Sequence, residues 1–286
     1  MNGPIPRVAA IHDLSGFGRC SLTVIIPVLS SMGIQVCPLP TAILSTHSGG
    51  FGNFYSHDLT DSMTDYASHW ENTGIRFDCL YTGYLGSVRQ VDIVSGLFGT
   101  FKKDAETLIV VDPVMGDNGR LYKSFTSEMQ DKMRTLVQKA DIITPNLTEA
   151  CFLLGTPFDD SPMDGPKMEY YLRRLSEMGP DRVVITSVKT ADGCFANIGW
   201  QRSTGALRVA AYDPVPAHYP GTGDIFTSVL TGSLLKGEDL QTAMDKAAQF
   251  VALAADMTYR QKTPEREGVL LEKALPRLCD ESFYST

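Results

Sequence analysis

The sequence predicts an α/β fold of three layers: helices on both faces of a mostly parallel central sheet, with a late antiparallel hairpin at one edge. Three observations predict it. Short β-rich apolar runs alternate with longer helical stretches through short connections, as in a parallel sheet flanked by helices. The run Thr107–Asp112 (TLIVVD) is nearly all apolar, as a central strand covered on both faces must be. Glycine and polar residues concentrate just after the strands, at the ends where such sheets bind ligands.

In order, Arg7–Ile11 reads as a strand, His12–Gly18 as a glycine-containing loop, and the residues to about Met32 as a helix. Ile34–Pro38 is a second strand, and Ser45–Gly52 a Gly/Ser-rich loop. An amphipathic helix over Leu59–Asn72 precedes the strand Asp78–Thr82, which stops at Gly83. Ser87–Lys102 is a helix, Thr107–Asp112 the central strand and Phe125–Lys139 a helix. Asp141–Thr144 is a strand and Asn146–Leu154 a short helix. Gly165–Met178 is a helix followed by the strand Arg182–Thr186. Gly193–Ile198 and Leu207–Tyr212 form the hairpin, and helices follow from about Gly223, Asp239 and Arg266. No repeat or linker divides the chain, so residues 1–286 are expected to form one domain.

Composition narrows the function. Of 286 residues, 43% are hydrophobic and 20% charged, which excludes a disordered or fibrous chain. The net charge of -8 argues against a nucleic-acid partner, which calls for a basic face. The six cysteines form no C-x-x-C pair and the histidines no zinc spacing, so free thiols in a reducing compartment are expected. The N-terminal MNGPIPRVAAIHD meets charge early and does not read as a secretory leader. The uncharged run Cys20–Cys37 contains Pro27, Ser21, Ser30, Ser31, Gly33 and Gln35, and reads as a buried helix, a turn and the start of a strand rather than a membrane span. A cytoplasmic protein without membrane attachment is expected.

Three motifs carry chemistry. In Pro220-Gly221-Thr222-Gly223-Asp224, small residues free successive backbone N–H groups at a helix start, an anion hole suited to a phosphoryl group. Asp224 stands in the first turn, where it could take a proton from an attacking alcohol. Alone, the same residues also read as a turn with a charged helix start. In Asp112-Pro113-Val114-Met115-Gly116-Asp117, carboxylates at the end of the central strand suit Mg²⁺, or form a solvated turn. In Thr144-Pro145-Asn146-Leu147-Thr148-Glu149, Asn146 or Thr148 caps a helix with Glu149 in its first turn; the same Asn146 and Glu149 could surround Mg²⁺ and phosphates.

Together, GTGD, DPVMGD and TPNxxE resemble the ribokinase-like superfamily, and more narrowly the vitamin B6 (pyridoxal) kinases, from about Arg7 to the helix after Asp224. Asp78–Gly86 (DCLYTGYLG), Ser45-Thr46-His47-Ser48, Asp141–Glu149 and Val183–Ser187 also resemble that family. The resemblance implies Asp224 as catalytic base and Gly221, Thr222 and Gly223 as the phosphoryl cradle. It implies that Asp112, Asp117, Asn146, Glu149, Thr186 and Ser187 face the nucleotide and Mg²⁺, with Asp112 and Glu149 holding the metal partly through water, and that Tyr122 lies on a flap over the nucleotide. Ser45, His47, Ser48 and Tyr84 would face the pyridine ring. Arg120 and Lys123 read as solvated loop residues. The chain departs from the family pattern at Asp13, which stands where B6 kinases commonly have a substrate-contacting serine; as an acceptor, Asp13 could meet a ring hydroxyl or a protonated ring nitrogen.

The resemblance implies ATP- and Mg²⁺-dependent phosphorylation of the 5′-hydroxymethyl group of pyridoxal and related vitamers by a homodimer. A hydroxymethylpyrimidine kinase of the same superfamily stays open because of Asp13; the TGY turn and the Ser-Thr-His-Ser loop argue against a sugar kinase. A non-catalytic vitamer-binding regulator is the alternative of a different class, and the intact GTGD motif argues against it. A dinucleotide-binding reading fails, because Gly16-Phe17-Gly18 is not completed by a third glycine.

Overall fold

A computed structural model describes residues 4–123 and 125–280. The opening Met1–Gly3 of the leader reading, Ser124 of the GDNGRLYKSF loop and the C-terminal residues 281–286 lie outside the described residues. In chain order the elements are β1 (Arg7–Phe17), α1 (Leu22–Ser31), β2 (Gln35–Thr46), β3 (Ser56–Asp58), α2 (Thr60–Asn72), β4 (Cys79–Thr82) and α3 (Val88–Phe101). There follow β5 (Leu108–Val111), β6 (Gly116–Asp117), β7 (Arg120–Leu121), α4 (Ser127–Val137), β8 (Ile142–Ile143), α5 (Leu147–Leu154) and α6 (Gly165–Glu177). The last are β9 (Arg182–Lys189), β10 (Phe195–Gln201), β11 (Ala206–Tyr212), α7 (Thr222–Leu235), α8 (Leu240–Arg260) and α9 (Leu271–Leu278).

Nine strands form one sheet in the order β11-β10-β9-β8-β5-β4-β1-β2-β3. From β2 to β9 all pairings are parallel, while β3 at one edge and β10 and β11 at the other run antiparallel. The late hairpin is therefore at an edge, as predicted. Buried side chains of α2 to α6 pack on one face of the sheet and those of α1, α7, α8 and α9 on the other, giving three layers with two cores. Alternate residues of β1 divide between them: Ala9 and Ile11 enter the first core, Val8 and Ala10 the second. The chain steps from β1 outward to β2 and then back to β4 on the other side of β1. That reversal opens a crevice beyond the strands' carboxyl ends.

Several expected boundaries are corrected. His12–Gly18 is not a loop: β1 continues to Phe17, paired with β2 as far as Phe17↔Thr46, with one register shift between His12 and Leu14. Burial on both faces drives the extension, since His12, Asp13 and Ser15 are all buried despite their polarity. Nor does β2 end at Pro38. It runs through Pro38 and Pro40 because its outer side has no neighbour until Ala42 meets Asp58 of β3, so the missing N–H groups break no ladder. Ser45 consequently lies in β2 rather than in a loop. Thr186 and Ser187 lie within β9 rather than after it, at a kink where Ser187 has φ 58° and the β9–β10 register shifts. The last helix starts at Leu271, after a 3-10 turn at Glu265–Glu267. The short β3 and the β6–β7 hairpin were not predicted from the sequence.

The run Cys20–Cys37 folds as α1 and the start of β2, and no helix among the described residues is long and apolar enough to cross a membrane. Helix α7 is buried along Ile225–Ser233, which explains why its sequence carries no charge after Asp224. Gly232 is part of that fit, because a Cβ there would meet Met32 Sδ at 2.6 Å.

Candidate active site

The floor of the crevice is the start of α7. Gly221 caps it in the left-handed conformation, with φ 81°, and a Cβ there would lie 2.1 Å from the Arg19 carbonyl oxygen. Only glycine meets both conditions. Thr222 anchors the turn by donating its hydroxyl to the Tyr219 carbonyl at 3.1 Å. The first-turn N–H groups of α7 thus open toward the crevice, with the positive end of the helix behind them.

Asp224 stands in that first turn, and its Oδ2 accepts the Ser21 N–H at 2.8 Å. Burial pushes its carboxyl up to about 7; the Ser21 N–H opposes this and the charge of Asp13 adds to it. Asp13 is itself buried, and its two oxygens accept the hydroxyls of Ser21 at 2.7 Å and Ser15 at 3.1 Å. Burial pushes Asp13 upward as well, against those two hydrogen bonds.

Facing the α7 start is the end of β5. A Cβ on Gly223 would lie 4.0 Å from Asp112 Oδ2, so the Asp112 carboxylate borders the glycine turn. Burial, then the charges of Glu149 and Asp224, raise Asp112 well above the usual carboxylate range. Glu149 completes a capping box at α5: Asn146 Oδ1 accepts the Glu149 N–H at 2.9 Å, and Glu149 Oε2 accepts the Asn146 N–H at 2.8 Å. Its Oε1 accepts the Met115 N–H at 3.1 Å. Burial still pushes the Glu149 carboxyl up to about 8, against those backbone donors.

The β6–β7 hairpin rises over this cluster. It is tied to α5 by Asn146 Nδ2 donating to the Gly116 carbonyl and the Gly119 N–H donating to Thr148 Oγ1, each at 2.9 Å. Asp117 lies on the hairpin, with His218 Nε2 3.7 Å from its Oδ2. Tyr122 follows β7; it is 43% exposed, and its hydroxyl is raised by burial and by the charges of Glu149, Asp117, Asp112 and Asp224. On the other flank, Thr186 forms a β-bridge with Asn146, and the Ser187 N–H donates to Asn197 Oδ1 at 3.1 Å while its Oγ accepts the Tyr212 hydroxyl at 3.0 Å.

The expected substrate-side residues lie beyond the ends of β1, β2 and β4. His47 is buried, and the charge it can carry acts on Asp13. Its Nδ1 accepts the Gly49 N–H at 3.1 Å, so Nε2–H donates to the Arg266 carbonyl at 2.6 Å. Nδ1 thus ties the loop to itself, and Nε2 fastens it to the 3-10 turn. Ser45 Oγ accepts the Tyr55 N–H at 2.9 Å, Ser48 is exposed, and Tyr84 is half-buried after β4. Gly83 before it is explained by His12: a Cβ would lie 2.6 Å from His12 Nδ1. Burial pushes His12 down to about 3, so that ring is neutral and packs edge-on to Tyr81.

The structure thus gathers Asp112, Asp117, Tyr122, Asn146, Glu149 and Asp224 around the α7 start, with Thr186 and Ser187 to one side. His47 and Asp13 are on the other, while Ser45 and Ser48 sit further out. Sequence reasoning missed Ser21, Ser15, Asn197 and Tyr212. The available signal for Ser21 was its place directly before an apolar helical run, which marks a helix start.

The family model described as phosphomethylpyrimidine kinase matches residues 28–266. A pyridoxal kinase of Arabidopsis thaliana is 31% identical over 242 residues, covering 82% of this chain and 74% of its own. Among solved structures, a Bacteroides thetaiotaomicron protein described as a phosphomethylpyrimidine kinase, crystallised with pyridoxal, is 48% identical, with a TM-score of 0.92 and 96% of each chain covered. Pyridoxal kinase from Lactobacillus plantarum is 33% identical, with a TM-score of 0.87 and coverage of 96% of this chain and 97% of that one. The chain belongs to the phosphomethylpyrimidine kinase family, with the pyridoxal kinases of ribokinase-like fold.

Proposed function

We propose that the protein is a pyridoxal kinase that transfers the γ-phosphoryl group of ATP to the 5′-hydroxymethyl oxygen of pyridoxal, giving pyridoxal 5′-phosphate and ADP. The observation that carries this is Asp224: a carboxyl raised to about 7, at the mouth of a helix start that only glycine can build. A base is most useful when its pKa is close to the working pH. Asp224 takes the alcohol proton as the new O–P bond forms. The N–H groups of Gly221, Thr222 and Gly223 receive the phosphoryl oxygens, and most of the acceleration comes from positioning and charge stabilisation. Asp112, Asp117, Asn146, Glu149, Thr186, Ser187 and Tyr122 serve the nucleotide, and His47, Ser45, Ser48 and Tyr84 hold the vitamer side.

The residues fit Mg²⁺. Asp112 and Glu149 are buried acids, Asp112 raised further by the charge of Glu149 and Glu149 by that of Asp117, so the cluster calls for positive charge. Among the described residues no three His, Cys, Asp or Glu side chains could hold a metal by themselves, and Mg²⁺ takes one or two carboxylates with water and phosphate oxygens. When bound, Mg²⁺ supplies neutralisation of phosphate charge. We place the protein in the cytoplasm, in keeping with its free cysteines, and read its working form as a homodimer, which a monomer mass by light scattering would reject.

The description of the family model favours a second reading, hydroxymethylpyrimidine phosphorylation. One ADP-release panel decides, using pyridoxal, pyridoxamine, pyridoxine, hydroxymethylpyrimidine and ribose, each with and without Mg²⁺. Mg²⁺-dependent ADP release with the B6 vitamers is expected. Turnover of hydroxymethylpyrimidine alone supports the second reading; a pyridoxal absorbance shift with no ADP in any lane makes the protein a binder.

A further inference from the structure

We propose that Ser21 and Asp13 are positioning residues for Asp224: Asp13 locks Ser21 in a strained conformation whose N–H then fixes one oxygen of the catalytic carboxylate. The inference rests on the reading of Asp224 as base.

Ser21 has φ 49° and ψ -134°, the mirror image of extended backbone and a region where L residues meet their own Cβ. Glycine is the residue for such a position; holding a serine there is strained and requires surroundings that enforce it. The residue precedes α1, where a serine hydroxyl ordinarily accepts a helix N–H, yet Ser21 makes no side-chain cap. Its three polar groups go three ways. The carbonyl accepts the N–H groups of Val24 and Ile25, each at 2.9 Å, which starts the helix. The hydroxyl donates to Asp13 Oδ1 at 2.7 Å. The N–H donates to Asp224 Oδ2 at 2.8 Å.

What enforces the turn is Asp13. It lies at the register shift in β1, between His12 and Leu14, which aims its carboxylate under the start of α1, and its second oxygen accepts the hydroxyl of the fully buried Ser15. A buried carboxylate with two hydroxyl donors is a stiff anchor, because losing either leaves a buried charge short of a partner. One residue therefore bridges two acids that lie far apart in sequence, at β1 and α7. Tying Oδ2 of Asp224 to a backbone donor leaves Oδ1 for the alcohol and sets the plane of the carboxylate. A misplacement of about 1 Å at such a group can cost ~10²-fold in rate. This assigns Asp13 a role through Ser21 rather than a contact with the pyridine ring.

The test compares Ser21→Ala, Ser21→Gly, Asp13→Asn and Asp224→Asn, with Ser21→Ala also made in the Asp224→Asn background. Thermal melting and pyridoxal binding serve as folding controls. Ser21→Ala keeps the strain and loses the lock, so its kcat should fall about 10–100-fold with the KM for pyridoxal changed less than about threefold. Asp13→Asn should behave alike. Ser21→Gly adopts the same backbone without strain and should recover at least about threefold of the alanine loss while staying below the unsubstituted enzyme. In the Asp224→Asn background, Ser21→Ala should cost less than about twofold more, because its effect passes through that carboxylate. A full additive loss there, equal losses in Ala and Gly, or a raised KM at unchanged kcat in Asp13→Asn overturns the proposal. If Asp224→Asn keeps full turnover, the base assignment itself has failed, and this inference with it.

Discussion

At Asp224, burial and a nearby like charge work against ionisation, and the first consequence is a pH profile. The carboxyl is raised to about 7, and the titratable groups that sense or shape its charge are Asp13, Asp112, Cys20, Tyr81 and Tyr122. Only the deprotonated form can accept a proton, so kcat/KM should be flat above about 7 and fall roughly tenfold per pH unit below it. In Asp224→Asn that limb should vanish and kcat should drop about 10²–10⁴-fold with KM little changed. A pH–rate measurement on both proteins checks this; an acid limb that persists in the variant belongs to another group. Glu149 makes a prediction of a different kind, because we assign it two duties. Glu149→Ala removes the carboxylate proposed for the metal and also strips the Asn146 and Met115 N–H groups of their acceptor. The first loss should raise the Mg²⁺ concentration needed for half-maximal rate. The second should cost about 1–3 kcal/mol of stability for each orphaned donor. An unchanged magnesium titration with a lowered melting temperature would leave Glu149 as a helix cap and nothing more.

At the scale of the element, the start of α7 distinguishes its two glycines. Gly221→Ala must bring a Cβ to 2.1 Å from a backbone oxygen at positive φ, so the turn has to move. We expect both a lower melting temperature and a kcat reduced by about 10²–10³-fold, comparable to losing an anion-hole donor. Gly223→Ala meets only Asp112 Oδ2 at 4.0 Å, an ordinary contact. Inside a helix that exchange favours folding by about 1 kcal/mol, so stability should hold or rise while the rate falls through crowding of the phosphoryl position. Equal melting temperatures and rates in the two variants would contradict this account of the turn. The same element shows what sequence makes legible. Asp224, Asp112 and Glu149 could be found because three motifs stand together in one chain, in an order and spacing that resemble a known family, although each alone also reads as a turn or a cap. Ser21 could not, because its importance comes from a register shift one strand away and from a backbone angle that its side chain does not advertise. The length of β1 was hidden for a related reason: His12, Asp13 and Ser15 look like loop residues until the site that buries them is known. The continuation of β2 through Pro38 and Pro40 depends on which side of the strand is unpaired, a tertiary fact. The two-residue strands of the flap carry too few side chains for any periodicity to register.

For the molecule as a whole, the fold holds Asp13, Asp112, Glu149 and Asp224 near one another with their carboxyls all raised by burial, in a chain of net charge -8. Bringing a nucleotide's phosphates to that end of the sheet adds negative charge to negative charge, so the nucleotide should bind well only in company with a divalent cation. Ligand that binds the native state alone stabilises it by about 2.7 kcal/mol at one hundred times its Kd. For a chain of this size that corresponds to a rise in melting temperature of roughly 4–5 °C. ATP with Mg²⁺ should produce such a rise, and the same ATP with EDTA well under half of it. Asp112→Asn should narrow the gap from both directions. It removes one repelling charge, so metal-free ATP stabilises this variant more than the unsubstituted protein, and it removes a metal-side carboxylate, so Mg²⁺ adds less. Melting curves for the two proteins under the two conditions check the argument. If EDTA makes no difference to the unsubstituted protein, the buried acids are not balanced by a metal. If Asp112→Asn lowers both shifts equally, Asp112 supports the fold of the crevice rather than its charge.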